Sequence, residues 1–183
     1  MVSLLDKIGV MSIDLEKLSI PELLCCYADI LEMLKVRKVV RSTNNPAGDL
    51  SELLFCMAFN WKQENNSKAG FDAIDRSTGN RYQIKGRRLT PANKSRELSA
   101  IRKLESNEFH YLAAILFAAD FSIYKAVIIP HSTVLECSKS VEHTNSSKFL
   151  LTDGIIKRPE TQDVTEKIKN TLCAIDRLLA ESK

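Results

Sequence analysis

The chain has 183 residues, of which 44% are hydrophobic, and a formal net charge of +3. This length fits one domain with an ordinary core and a helical extension, and no apolar run approaches the length of a membrane span. The charge is too small to identify a nucleic-acid partner, because net charge reports on association and solubility rather than on the identity of a ligand.

A first amphipathic helix is predicted from Ile20 to Val40, where apolar residues recur at largely helical spacing. Ser19 is a suitable cap for this helix, and Pro21 occupies an early helical position. One face is expected to be buried, either on the chain's own core or in a homodimer. Residues 1–45 are therefore interpreted as a helical extension packed on the core, and residues 46–183 as the main domain.

A second helix and three short strands follow the turn-rich segment 41–48. The helix is predicted from Asp49 to about Asn60, which places Glu52 near its start. The strands are predicted around 61–64, 71–74 and 81–85. The segment 76–80 between the last two strands is rich in turn formers, so a hairpin is the natural connection.

The hairpin would bring three polar side chains together. If Ile74 faces Arg81, antiparallel pairing puts Asp72 opposite Gln83, and Lys85 lies diagonally beside them. Strand alternation also puts Gln83 and Lys85 on one face of the strand.

The remainder of the chain predicts a mixed sheet between helices. The predicted elements are a charged helix at 95–104, buried strands at 111–118 and 122–130, a polar loop at 136–148, a small hairpin at 149–156 and a closing helix at 163–179. The fold class is therefore α/β (α+β).

The early charges and the cysteines indicate a cytoplasmic protein. Asp6 and Lys7 come too early for a secretory signal. The five cysteines form no C-x-x-C pair, which argues against a disulfide framework and a zinc site. They are expected to be small core residues.

The hairpin residues suit the hydrolysis of a phosphodiester. Asp72 can be the principal ligand of a magnesium ion, which prefers a few hard carboxylate oxygens, or a strand-end aspartate that makes turn hydrogen bonds. Gln83 can bind the metal through its carbonyl oxygen or hold one of its waters, and otherwise is a polar residue on a wet face. Lys85 can orient or deprotonate the attacking water and stabilise charge on the phosphoryl group; its alternative is ordinary surface charge.

Other polar residues can support this site. Glu52 can supply a second carboxylate or act only as an early-turn glutamate that favours the helix dipole. Asp75 is a reserve ligand that more naturally opens the turn. Seven basic residues crowd into the nineteen positions from Lys85 to Lys103 and could neutralise several phosphates. The candidates for nucleic-acid contact are Arg87, Arg88, Lys94, Arg41 and Asn45.

The order of Glu52, Asp72 and Gln83-x-Lys85 resembles the PD-(D/E)xK, or restriction endonuclease-like, nuclease superfamily. Glutamine replaces the first acidic residue of the triplet, as in the similar Q-x-K triplets of the Mrr-like branch. The resemblance covers roughly residues 48 to 130 and implies the α-β-β-β-α-β core of such folds. The wider pattern, with Gly70-Phe-Asp-Ala-Ile-Asp75, also resembles a group of small uncharacterised bacterial and phage proteins of this superfamily.

The resemblance implies a metal-dependent endonuclease with DNA as the expected polymer. Its site would hold Mg²⁺, or Mn²⁺ as a substitute, through Asp72, Gln83 and Glu52, with Lys85 as a catalytic residue. The alternative is a nuclease-like module that has lost catalysis and binds nucleic acid or protein. Cutting both strands of a duplex would need two sites and therefore favours a homodimer.

Overall fold

The computed structural model describes residues 14–42, 44–64, 70–141 and 146–181. The chain divides into two compact units, Met1–Pro46 and Ala47–Lys183. Among these described residues, the structure contains no helix with both the length and the apolar character needed to cross a bilayer.

The first unit contains a 3-10 turn, Leu15–Lys17, and helix α1, Ile20–Val36. The predicted start of α1 is confirmed, because Ser19 and Glu22 form a capping box in which the Ser19 amide donates to Glu22 Oε2 over 2.8 Å. The helix ends four residues earlier than predicted, shortly before Lys38 adopts a positive φ of 61°.

Most of the apolar side chains of α1 are exposed on the single chain. Within the helix only Leu31 is buried, and seven large hydrophobic side chains are between 38% and 74% exposed, namely Ile20, Leu23, Leu24, Tyr27, Ile30, Met33 and Val36. Helical spacing predicted the element correctly, but it could not say what covers the apolar face.

The second unit contains five α-helices and nine strands among its described residues. The helices are α2 (Ala47–Phe59), α3 (His131–Cys137), α4 (Asp153–Ile156), α5 (Thr165–Cys173) and α6 (Ile175–Glu181). The strands are β1 (Lys62–Gln63), β2 (Ala73–Ile74), β3 (Arg81–Arg88), β4 (Ile101–Arg102), β5 (Tyr111–Phe117), β6 (Ile123–Pro130), β7 (Lys139–Val141), β8 (Ser146–Lys148) and β9 (Gln162–Asp163).

A six-stranded sheet in the order β1-β2-β3-β5-β6-β9 forms the centre of this unit, and a second sheet has the order β4-β8-β7. In the larger sheet β3 and β5 pair in parallel, and the other neighbouring strands named here are antiparallel. The mixed sheet and the α/β fold class predicted from the sequence are confirmed.

Helices and loops cover the central strands on both faces. On one face α2 approaches β3 so closely at Gly86 that a Cβ there would overlap Ser51 and the Ala47 carbonyl group. On the other face Phe149 and Leu151 pack with Leu116 in the main hydrophobic cluster. Because both faces are covered, β5 reads as an unbroken apolar run rather than as an alternating one.

The helix predicted at 95–104 is wrong. These residues form bends, the short strand β4 and the start of a 3-10 turn at Leu104–Ser106. The three apolar residues of the predicted stripe are buried in the hydrophobic cluster, namely Leu98, Ile101 and Leu104. They are carried there by a strand rather than a helix, because β4 pairs with β8. Tertiary pairing therefore overrides the helical spacing.

Three further expectations about the last third of the chain and the cysteines are wrong. The hairpin at 149–156 is instead the short helix α4, whose start is capped by Thr152. The polar segment 136–148 contains the end of α3 and the whole of β7 and β8. All five cysteines are free, but none is fully buried, and two are exposed, Cys25 and Cys173.

Candidate active site at the β2–β3 pair

The β2–β3 hairpin has the register expected from the sequence. Ile74 pairs with Arg81 and Ala73 with Tyr82. Asp75 opens the turn, since its Oδ1 atom accepts hydrogen bonds from the Ser77 amide over 2.8 Å and hydroxyl over 2.6 Å. These hydrogen bonds lower the pKa of Asp75 below its ordinary value.

Asp72 lies where β2 leaves the regular ladder. In the regular ladder Tyr82 pairs with Ala73. The Asp72 amide nevertheless also donates to the Tyr82 carbonyl, over 2.8 Å. The Asp72 Oδ2 atom accepts the Ile84 amide over 2.6 Å and also contacts the Gln83 side-chain nitrogen. The carboxylate is thus fixed against the strand that carries Gln83 and Lys85.

Lys85 follows Gln83 by two residues and therefore lies on the same face of β3. Tyr82 and Ile84, on the opposite face, are buried, whereas Lys85 is half-buried. Its ammonium group makes no hydrogen bond or ion pair with the part of the chain that the structure describes. A half-buried cation that pairs with none of the described residues is available to a phosphate or an attacking water.

A row of stacked aromatic rings packs on the face of the hairpin that carries Tyr82. Trp61 is 7% exposed and stacks on Tyr82 with ring centroids 3.6 Å apart. Tyr82 in turn stacks on Tyr111 over 5.5 Å, and its burial raises the pKa of its phenol. Both faces of Tyr82 are therefore engaged in packing, and Trp61 is a core residue.

Glu52 contacts β1 from helix α2. One of its carboxylate oxygens accepts a hydrogen bond from the Gln63 side chain over 2.9 Å. Glu64, the residue after Gln63, is a neighbour of Asp72 that was not predicted from the sequence. Glu64 donates its backbone amide to the Asp72 carbonyl over 2.9 Å, and the antiparallel pairing of β1 with β2 would have identified this neighbour.

The candidate nucleic-acid contacts separate in the structure. Arg87 lies on the face of Lys85 and donates to the Ser95 carbonyl over 3.2 Å. Arg88 lies on the other face, while Lys94 is exposed in the loop after β3. Arg41 and Asn45 belong to the first compact unit and stay sequence-based predictions.

Arg88 contacts the tip of the β5–β6 hairpin, the loop that contains Ala119 and Phe121. Its Nε atom donates to the Ala119 carbonyl over 2.8 Å, and its guanidinium group lies 4.5 Å from the centroid of the Phe121 ring. Phe121 has a φ of 63°, a left-handed conformation that is uncommon for a bulky residue. Arg88 therefore has a structural role at this tip.

Replacing Arg88 with alanine is expected to lower the free energy of unfolding by about 1–2 kcal/mol, since a charge-assisted hydrogen bond and a cation–π contact are lost. Urea denaturation measures this change. Arg102→Ala is the control, because Arg102 is exposed on β4. Equal stability of Arg88→Ala and the wild type would show that the contacts at the tip contribute nothing.

The donor atoms around Asp72 fit magnesium chemically. Carboxylate and amide oxygens are hard ligands, and Mg²⁺ commonly uses one or two carboxylates and keeps several waters. Gln83 can offer its carbonyl oxygen by a turn of its amide group. Within the described ranges, however, no group of three or more acidic, histidine or cysteine side chains forms a ready-made metal cage.

No known protein-family model matches this chain. A search of curated proteins likewise finds no match. The superfamily resemblance therefore depends on the residues around Glu52, Asp72, Gln83 and Lys85.

Proposed function

We propose that the protein is a metal-dependent nuclease that hydrolyses phosphodiester bonds, with DNA as its polymer. One observation carries this proposal: Asp72, fixed by Gln83 and the Ile84 amide, lies on the strand next to half-buried Lys85, which has no ion-pair partner among the described residues. An acid and a free ammonium group on adjoining strands are a suitable pair for acting on a phosphate.

Asp72 is the proposed principal metal ligand, and Gln83 offers an amide oxygen. Glu52, the further ligand expected from the sequence, accepts a hydrogen bond from Gln63 on the α2 side of the sheet, away from the face of Gln83 and Lys85, and is therefore left out of this metal site. A magnesium ion held there would provide positive charge against the scissile phosphate; manganese could replace it. In the reaction a water oxygen bonds to phosphorus while the ester P–O bond breaks, and the leaving oxygen takes a proton. Lys85 would orient the water and stabilise the negative charge that develops on the phosphoryl oxygens.

Arg87 and Lys94 are the proposed contacts to the flanking phosphates. Phosphate contacts of this kind would supply affinity without sequence preference. Arg88 and the two residues of the first unit, Arg41 and Asn45, remain proposed contacts that binding assays with single variants would test. The free cysteines favour a reducing, cytoplasmic location, and a homodimer through α1 is the proposed arrangement for cutting both strands.

A cleavage assay on supercoiled plasmid, linear duplex, single-stranded DNA and RNA tests this function. The expected result is cutting of DNA with Mg²⁺ or Mn²⁺ and no cutting with chelator. Cutting that continues in chelator would contradict the metal-dependent reaction. Exclusive cutting of RNA would contradict the choice of polymer.

A second candidate is a nuclease-like module without catalysis that binds nucleic acid or protein. Its specific support is that the Asp72 carboxylate already has two protein donors, Gln83 and the Ile84 amide. This candidate predicts nucleic-acid or protein binding that neither requires nor changes with Mg²⁺. Metal titration therefore separates it from the nuclease.

Replacing Gln83 with glutamate should distinguish the metal-dependent nuclease from the module without catalysis. Without metal, the new carboxylate would face Asp72 and lose the present hydrogen bond, so the free energy of unfolding should fall by about 2 kcal/mol. With Mg²⁺ the added charge should produce a larger stabilisation than in the wild type. Thermal unfolding with and without Mg²⁺ measures both effects, and an equal metal-induced shift in the two proteins would contradict the placement of the metal.

A further inference from the structure

Glu64 lies beside Asp72 at the end of the edge strand β1. Lys62 pairs with Ile74 and Gln63 with Ala73, so the next position of β1 pairs with Asp72. The backbone agrees, since the Glu64 amide donates to the Asp72 carbonyl over 2.9 Å. Glu64 is therefore the neighbour of Asp72 on one side, as Gln83 is on the other.

Strand alternation places the Glu64 side chain on the face of Gln83. Gln63 points to the side of α2, where it donates to Glu52, so its successor points away from α2. The ion pair of Glu64 Oε1 with Lys62 Nζ, at 2.7 Å, agrees, because residues two apart share a face of a strand. On β3, Gly86 faces α2, and alternation therefore turns Gln83 and Lys85 away from that helix.

Two acidic side chains on paired strand positions repel each other. Lys62 provides a cation that offsets the charge of Glu64, and the Glu64 side chain remains 28% exposed. A divalent ion would offset both acids more strongly than one ammonium group. In this structure the cation that binds Glu64 is the Lys62 ammonium group.

We propose that Glu64 is a further carboxylate ligand of the metal at Asp72 and supplies the negative charge that Gln83 lacks. This inference rests on the metal-dependent function proposed above. Lys62 then competes with the metal for Glu64, so the two side chains should have opposite effects on metal affinity. If the ion pair were purely structural, replacing Glu64 and replacing Lys62 would not change the metal affinity in opposite directions.

Isothermal titration with Mn²⁺ alone, in the absence of nucleic acid, tests this assignment. Glu64→Gln is expected to weaken Mn²⁺ binding at least about tenfold, the lower bound for losing even an outer-sphere partner. Lys62→Met is expected to strengthen it about two- to fivefold, because a competing positive charge is removed. Neither Lys62 nor Glu64 is buried in the core, so both variants should fold, and circular dichroism would verify this.

The exposed pair of Glu97 and Lys148, with 3.7 Å between Oε1 and Nζ, provides matched controls. Glu97→Gln and Lys148→Met should leave Mn²⁺ affinity unchanged. If the wild type binds Mn²⁺ and Glu64→Gln binds it with the same affinity, the role of Glu64 is overturned and the nuclease proposal stays intact. Absence of Mn²⁺ binding in the wild type would overturn both.

Discussion

Replacing Lys85 with alanine is expected to reduce cleavage by about 10²–10³-fold, because the variant loses an ammonium group that acts on the developing phosphoryl charge. Folding should be retained. Lys85 has no hydrogen-bond or ion-pair partner in the described ranges, so the free energy of unfolding should change by no more than about 0.5 kcal/mol. Single-turnover cleavage at saturating Mg²⁺ measures the rate, and urea denaturation measures stability.

Two companion variants make the result specific. Lys157→Ala removes an exposed lysine after α4 and should cut at the wild-type rate. Asp72→Asn should lose both activity and metal affinity, whereas Lys85→Ala should still bind Mn²⁺. Full activity in both site variants, with folding intact, would place the chemistry elsewhere in the molecule.

Replacing Gly86 with alanine is expected to cost about 1–3 kcal/mol of stability, the usual effect of forcing atoms into a packed core. A Cβ at this position would overlap Ser51 Oγ and the backbone oxygen of Ala47, neither of which is a flexible chain end. Helix α2 would have to move away from β3. Because Gly86 directly follows Lys85, we also expect reduced activity in the same variant.

Gly48→Ala is the matched control for Gly86→Ala. Gly48 lies in the first turn of α2, and no atom lies within 4 Å of a Cβ built there. Alanine should leave stability unchanged or raise it by up to about 1 kcal/mol, because glycine is the poorer helix former. Thermal unfolding of both variants measures the difference, and equal melting temperatures would contradict the close approach of α2 at Gly86.

Local sequence features predicted the elements of the candidate site well. The turn formers between Ile74 and Arg81 gave the hairpin and its register, because turn chemistry acts over a few residues. The two long apolar runs gave β5 and β6 for a similar reason. A strand covered on both faces must be apolar along its whole length.

Sequence spacing failed where distant segments compete with local preference. Residues 95–104 have a helical apolar stripe, yet β4 pairs with β8, which is more than forty positions further along the chain. For α1, by contrast, helical spacing correctly predicted the helix, and most of its large side chains are exposed on the single chain. Periodicity identifies an apolar face, whereas its cover depends on other elements.

The sequence by itself determined the fold class, the β2–β3 hairpin and the identity of the residues that could act on a phosphate, because these depend on local periodicity and side-chain chemistry. Only the tertiary structure decided which residues outside the hairpin became their neighbours. It joined Asp72 to Glu64 through the pairing of β1 with β2, and it turned Arg88 to the β5–β6 tip. Such contacts depend on which strands become neighbours in the sheet, a choice made by the packing of the whole chain rather than by any local segment.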